Sequence, residues 1–307
     1  MAEKKKHTLL KAAGTTAVAA TAAYAGFGYY VFRTAFDLEN SSLLSSGSSS
    51  AGEYDSEMSE WFLHSSRTDE FIDSFDGLKL HALRITNHPD SRKWMIVQHG
   101  FNSCGSDMIR MLWEADHRDF NVLAPDARGY GMSEGRYTSL GWNEHYDLIS
   151  WINYLLNIDS EAQIVLYGKD AGAAAVMNAL GDYIPSNVRC AVEEGGYSDI
   201  RQLLLNNIQH YCKVSGKPFM PGIDLYVRNI LHFSLNDIST ARQLKQSSTP
   251  VLFMHNMNDE RIPASMVFDN YYSCSSQKEL YTSEMPLAED PEFFSKVFGF
   301  AEKYLDA

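Results

Sequence analysis

The 307-residue chain predicts an α/β fold, a doubly wound and mostly parallel sheet, and three observations carry that reading. From residue 70 onward, short β-rich runs alternate with amphipathic helical patterns, as they do when a parallel sheet is covered on both faces. One apolar run ends in Gly168-Lys169-Asp170-Ala171-Gly172 and passes directly into an alanine-rich segment. That is a sharp strand–turn–helix, with one polar side chain standing up between small residues. Between residues 198 and 240 the alternation breaks into helical patterns around Lys217-Pro-Phe-Met-Pro-Gly222. A helical cap inserted over the sheet edge fits that stretch.

Composition bounds the function. Hydrophobic residues make up 45% of the chain, enough for a sizeable core, and the formal net charge is −13. That acidity excludes nucleic acid as a partner, because phosphate binding needs a concentrated basic face. Basic residues cluster once, at Lys4, Lys5 and Lys6, directly before an apolar stretch over residues 9–32. The stretch is long enough to span a bilayer as a helix. Its tyrosines, Tyr24, Tyr29 and Tyr30, suit a membrane interface, and the lysines orient the N-terminus to the cytoplasm. The expectation is a single-pass membrane anchor over residues 1–39, with the main domain outside the cytoplasm. The alternative is a signal peptide cleaved after Ala23-Tyr24-Ala25, releasing a secreted protein. Residues 40–54, rich in Ser and Gly, form the linker, and residues 55–307 form the domain. Cys104, Cys190, Cys212 and Cys274 show no metal-ligand spacing and read as free thiols.

Within the domain, strands are predicted at residues 70–74, 78–85, 93–98, 121–125, 163–167, 188–193 and 251–255, with a weak last one at 279–281. Helices are predicted at 107–115, 142–156, 171–180, 263–272 and 291–304. In such sheets the loops at the carboxyl ends of the strands carry the site.

Four motifs occur in order. His99-Gly100-Phe101-Asn102-Ser103 follows an apolar strand. Asp126-Ala127-Arg128-Gly129-Tyr130-Gly131-Met132-Ser133-Glu134-Gly135 comes next, then the Gly168–Gly172 turn, then His255-Asn-Met-Asn-Asp259-Glu-Arg-Ile-Pro263. Together they resemble the α/β-hydrolase superfamily, and most nearly its bacterial membrane-anchored serine esterase/peptidase group, over about residues 55–305. The resemblance implies the α/β-hydrolase fold with its helical cap. It also implies an oxyanion hole from the backbone N–H groups of Phe101 and Ala171, an acid at Asp259, and a nucleophile at position 170. It implies no cofactor and no metal.

The chain departs from the family at two points. Position 170 holds Asp rather than Ser, and no histidine follows His255, although the family's general base lies in the last loop. An Asp nucleophile is compatible with catalysis, since haloalkane dehalogenases and epoxide hydrolases of the superfamily use one, but they still need a base to release the ester. His99 and His255 are the candidates to substitute. His145 reads as a solvated helix residue, and His210 and His232 flank the cap. Asp126 and Arg128 read as turn-holding residues. The expectation is therefore a degenerate triad, Asp170 and Asp259 without an imidazole, in a protein that binds a small molecule or protein ligand. The alternatives are an active hydrolase with an unconventional base, and a hard-cation site between the two carboxylates.

Overall fold

Alternating residues of the central strands point into two different apolar layers, and this arrangement positions everything else. In the computed structural model, residues 22–43 and 56–305 are described. The sheet has eight strands: β1 (Arg67–Asp73), β2 (Lys79–Ile85), β3 (Lys93–Gln98), β4 (Asn121–Pro125), β5 (Gln163–Lys169), β6 (Val188–Glu194), β7 (Val251–Asn256) and β8 (Lys278–Ser283), in the order β1-β2-β4-β3-β5-β6-β7-β8. β1 and β2 form an antiparallel hairpin, β2 runs antiparallel to β4, and every later pairing is parallel. The strand-to-strand steps after β3 run through helices, which supply the long crossovers that parallel pairing needs.

Trp94, Ile96, Ile164, Leu166, Val251 and Phe253 join one buried layer. It is closed by α4 (Asn143–Ile158), α5 (Ala171–Ala179) and α9 (Ser265–Ser273). Their neighbours Met95, Val97, Val165, Tyr167, Leu252 and Met254 join the opposite layer, closed by α3 (Ile109–Asp116) and α10 (Phe293–Leu305). Side chains alternate across a strand, so runs apolar at every position mark strands buried on both faces. That is why these strands were readable as short continuous apolar segments.

A third apolar cluster forms the cap. It gathers α6 (Ile200–Asn207), α7 (Met220–Leu231) and the helix over residues 22–36, α1. Asp199 caps α6 by accepting from Gln202 N at 3.0 Å. The Lys217–Gly222 stretch is not a plain turn between helices. Lys217–Phe219 is a short 3-10 turn and α7 starts at Met220. Pro218 and Pro221 sit in the first turns of these elements, where a missing N–H is no loss and the fixed φ favours helix.

The apolar stretch expected over residues 9–32 divides at residue 22. Residues 9–21 lie outside the described residues, as does most of the expected linker. Residues 22–36 form a helix laid on the cap, with Val31, Phe32, Ala35 and Phe36 buried. Tyr24 stacks on Phe219 at 5.6 Å, and Phe32 meets Tyr226 at 6.1 Å. Asp37, fully buried, follows the helix and is held by Arg33 at 2.7 Å and Arg136 at 3.0 Å. Among the described residues no helix is long and apolar enough to cross a membrane.

Candidate functional site

The elbow forms where β5 runs into α5. Asp170 takes φ 49° and ψ −111°, a conformation that L residues other than Gly rarely adopt. The surroundings enforce it. Its N–H donates to Glu194 O at 2.8 Å, and its carbonyl accepts from Ala174 N at 3.1 Å. Close approach dictates the neighbouring glycine: a Cβ on Gly172 would lie 2.4 Å from the carbonyl oxygens of both Gln98 and His99. The elbow is thereby pressed against the loop that follows β3, and a Cβ on Gly100 would lie 2.6 Å from Asp170 Oδ2. The carboxylate therefore stands directly beside the expected oxyanion loop. Neither the Phe101 N–H nor the Ala171 N–H has a protein acceptor among the described residues. Both donors remain open for a ligand oxygen, as an oxyanion hole requires.

Asp170 is buried, and its one ion-pair partner among the described residues is Arg261, whose Nη2 lies 3.7 Å from Oδ1. Burial pushes its carboxyl up to about 6. Arg261 and Lys169 pull it down, while Glu194 and Asp259 push it further up. Lys169, beside Asp170, pairs with Glu194 Oε1 at 3.3 Å, and the Tyr167 hydroxyl donates to the other oxygen of Glu194. Glu193, fully buried on the opposite side of β6, accepts from Gly196 N at 2.7 Å, and burial raises its carboxyl to about 8. It is therefore neutral near pH 7.

The two histidines able to substitute for the missing base are both committed elsewhere. His99 Nε2 accepts from Ala127 N at 2.9 Å, which fixes the proton on Nδ1, and Nδ1 meets Gly100 O at 2.8 Å. Burial lowers its basicity. His255 is fully buried, with Nε2 2.8 Å from Ile262 O, and burial likewise lowers its basicity. A base must reach the reacting group before its pKa matters, and neither imidazole pairs with Asp170. His145, expected on a solvated face, is instead buried: its Nε2 sits 3.1 Å from Asp182 and its ring packs on Tyr146 at 3.8 Å. His210 stands on the cap 3.8 Å from Glu260, and His232 ends α7 with φ 62°.

Asp259 lies in the loop after β7, where the acid was expected. Its Oδ1 accepts from the backbone N–H groups of Arg261 and Ile262 at 2.8 and 3.0 Å. The carboxylate thus shapes the loop that delivers Arg261. After β8 the chain turns away from the elbow: Ala288 O accepts from Arg110 at 2.7 Å, Tyr281 donates to Asp290 at 2.8 Å, and Leu287 is buried in the layer under α10. This short loop carries no imidazole. Asp126 and Arg128 hold turns as expected. Asp126 accepts from Gly105 N at 2.7 Å and Met132 N at 2.8 Å, and Arg128 is clamped by Asp147 and Asp76. Among the described residues, no group of three or more His, Cys, Asp or Glu side chains is placed to hold a metal ion.

An eight-stranded sheet of this order, with an elbow after its fifth strand and a cap above, defines the fold as that of the α/β hydrolases. The comparisons agree. The family model described as "alpha/beta hydrolase fold" matches residues 93–211. Among curated proteins, the uncharacterized protein YqkD of Bacillus subtilis is 22% identical over 226 residues, covering 73% of this chain and 74% of its own. Among solved structures, the esterase Pf2001 of Pyrococcus furiosus superposes with a TM-score of 0.65 at 21% identity, covering 79% of this chain and 94% of its own. Acetyl xylan esterase 1 from Thermoanaerobacterium sp. JW/SL YS485 gives 0.60 at 18% identity, covering 78% and 83%. The chain has the α/β-hydrolase fold, and that fold is related to the fold of esterases.

Arg261, Lys169 and Glu194 were not among the residues expected at the site. Two had a signal in the sequence: Lys169 is inside the elbow motif and Arg261 inside the acid-loop motif. Glu194 had none, because only the β5–β6 register, which sets Lys169 opposite Glu194, brings it there.

Proposed function

We propose that this chain is a ligand-binding α/β-hydrolase-fold protein without ordinary serine-hydrolase activity. One observation carries the reading: the side chain at the nucleophile position is a buried carboxylate whose ion-pair partner is a guanidinium, not an imidazole. A guanidinium stays protonated at any working pH and cannot accept a proton. A serine at this place would have no base, and the carboxylate that replaces it has no means of activating the water that must release a covalent product. The open amides of Phe101 and Ala171 and the apolar cap supply a place for a small-molecule or protein ligand. The test is steady-state hydrolysis of p-nitrophenyl butyrate by the purified full chain and by Asp170→Ala. Both are expected at the buffer rate. Turnover by the wild type that Asp170→Ala abolishes would overturn the reading.

We further propose that the N-terminal segment over residues 1–39 holds the chain at a membrane, with the main domain outside the cytoplasm. Lys4–Lys6 before an apolar run support it, as do Tyr29 and Tyr30, exposed on α1 at 43% and 51%. Membrane fractionation with protease protection checks this; recovery of the full chain in the soluble cytoplasmic fraction would contradict it.

A further inference from the structure

Arg261 is a half-buried cation whose donors are unused. Its side chain is 22% exposed, yet its guanidinium has no hydrogen-bond acceptor among the described residues. The nearest carboxylate oxygen, on Asp170, stands at 3.7 Å, outside hydrogen-bond range. Arg128 shows the contrast, with three donors engaged by Asp147 and Asp76 at 2.8 Å. The Arg261 guanidinium also lies over the Phe101 ring, 5.9 Å from its centroid, beside the residue whose N–H is open. A planar fork of donors next to two open amides is a receptor for a planar, two-oxygen anion.

We propose that the site beside Asp170 binds monocarboxylates, the ligand's carboxylate pairing with the Arg261 guanidinium and accepting from the N–H groups of Phe101 and Ala171. The inference rests on the non-catalytic reading and names the ligand class of that site. The side chains beyond are apolar and favour a ligand with an apolar tail. Ile262, next to Arg261, and Ala174, one turn past Asp170, both belong to the apolar cluster under the cap, and Phe101 packs against it.

Charge sets a condition on binding. The groups facing Asp170 are Lys169 and Tyr167 from β5, Glu194 from β6, and Arg261 and Asp259 from the loop after β7. His99, His255 and Glu193, which flank them, are neutral near pH 7. With Asp170 ionised, the two cations face three carboxylates, and a further anion meets net negative charge. With Asp170 protonated, the ligand's charge replaces that of Asp170 and the cluster keeps its balance. Carboxylate binding therefore takes up one proton, and affinity falls about tenfold for each pH step above about 6.

The experiment is calorimetric titration of the full chain with sodium octanoate and sodium acetate from about pH 5 to pH 8, beside Arg261→Gln and Asp170→Asn. Thermal unfolding of each variant shows that it is folded. The wild type is expected to bind octanoate more tightly than acetate, with affinity level below about pH 6 and falling tenfold per pH step above it. Arg261→Gln should lose at least tenfold at pH 5, and folded Asp170→Asn should bind at pH 8 about as tightly as the wild type does at pH 5. No octanoate binding by the wild type at pH 5, equal binding by folded Arg261→Gln, or an unchanged pH slope in Asp170→Asn would each overturn the inference. Ester hydrolysis measured on the same samples separates the two readings. No turnover together with no octanoate binding removes this inference alone, whereas turnover removes the non-catalytic reading beneath it.

Discussion

Replacing Asp170 by Asn should stabilise the protein at neutral pH and not in acid, and the size of the effect follows from the site. The ordinary carboxyl value for this residue is 3.8, and burial beside Arg261, Lys169, Glu194 and Asp259 moves it to about 6 in the folded chain. A raised folded value means that the unfolded chain gives up its proton first. Below 3.8 both states hold the proton and the carboxyl has no pH-dependent effect. As pH rises from there to about 6, the unfolded state is favoured increasingly, and above about 6 the loss is complete. That interval corresponds to about 3 kcal/mol. Asn stays neutral throughout and keeps a similar shape. Arg261, at 3.7 Å and without a hydrogen bond, attracts the ionised form, and the folded value of about 6 already contains that pull. Asp170→Asn should therefore gain about 3 kcal/mol on the wild type between pH 4 and pH 8. The assay is guanidinium denaturation of both proteins at half-unit pH steps, comparing midpoints at equal slope. A stability difference that does not change with pH, or that falls as pH rises, would show that the carboxylate is held as an anion by its partners, and would refute the reasoning.

Asp170→Ser alone should leave ester hydrolysis at the buffer rate, because serine must lose its proton on attack and no imidazole of the site is free to take it; robust turnover would show that His99 or His255 leaves its backbone partner. Phe32→Ala should destabilise the domain by about 3–5 kcal/mol, since Phe32 is fully buried between α1 and the cap; an unchanged denaturation midpoint would mean that α1 does not dock. Gly172→Ala should cost about 2 kcal/mol or more, because its new Cβ meets the backbone oxygens of Gln98 and His99 at 2.4 Å; wild-type stability would show that the elbow can open.

The fold was legible because its strands are apolar at consecutive positions and its helices are not. β3 and β4 lie at the residues that the apolar runs mark, and β5 extends only two residues further, into the elbow. The elbow itself was legible because Gly168 and Gly172, two residues to either side of Asp170, permit the close packing of a sharp strand-to-helix turn. The charged ring around Asp170 was not. Lys169 meets Glu194 across two strands, and no local pattern encodes that register. The N-terminal helix was legible only in part, for a different reason: apolar content does not tell lipid from protein as the covering phase, and residues 22–36 lie on the cap. A stripe was present, though, with Val31, Phe32, Ala35 and Phe36 buried while Ala22, Ala23, Gly26, Tyr29 and Tyr30 face outward. Helical spacing of the large side chains separates a docked helix from one apolar all round. His145 was misplaced because its partners, Asp182 and the Trp142 and Tyr146 rings, close over a helix face that reads as polar.

The most direct measurement of the central claim follows the carboxylate oxygens of Asp170. The purified full chain is incubated in water enriched in the heavy oxygen isotope with an alkyl ester, an epoxide and a haloalkane, and the peptide containing Asp170 is then weighed by mass spectrometry. An Asp nucleophile that turns over collects solvent oxygen in its side chain each time its ester is hydrolysed, whereas a binding-site carboxylate keeps its own. The account predicts no isotope in that peptide beyond the substrate-free control. Heavy oxygen in the Asp170 side chain, appearing only with substrate, would contradict it.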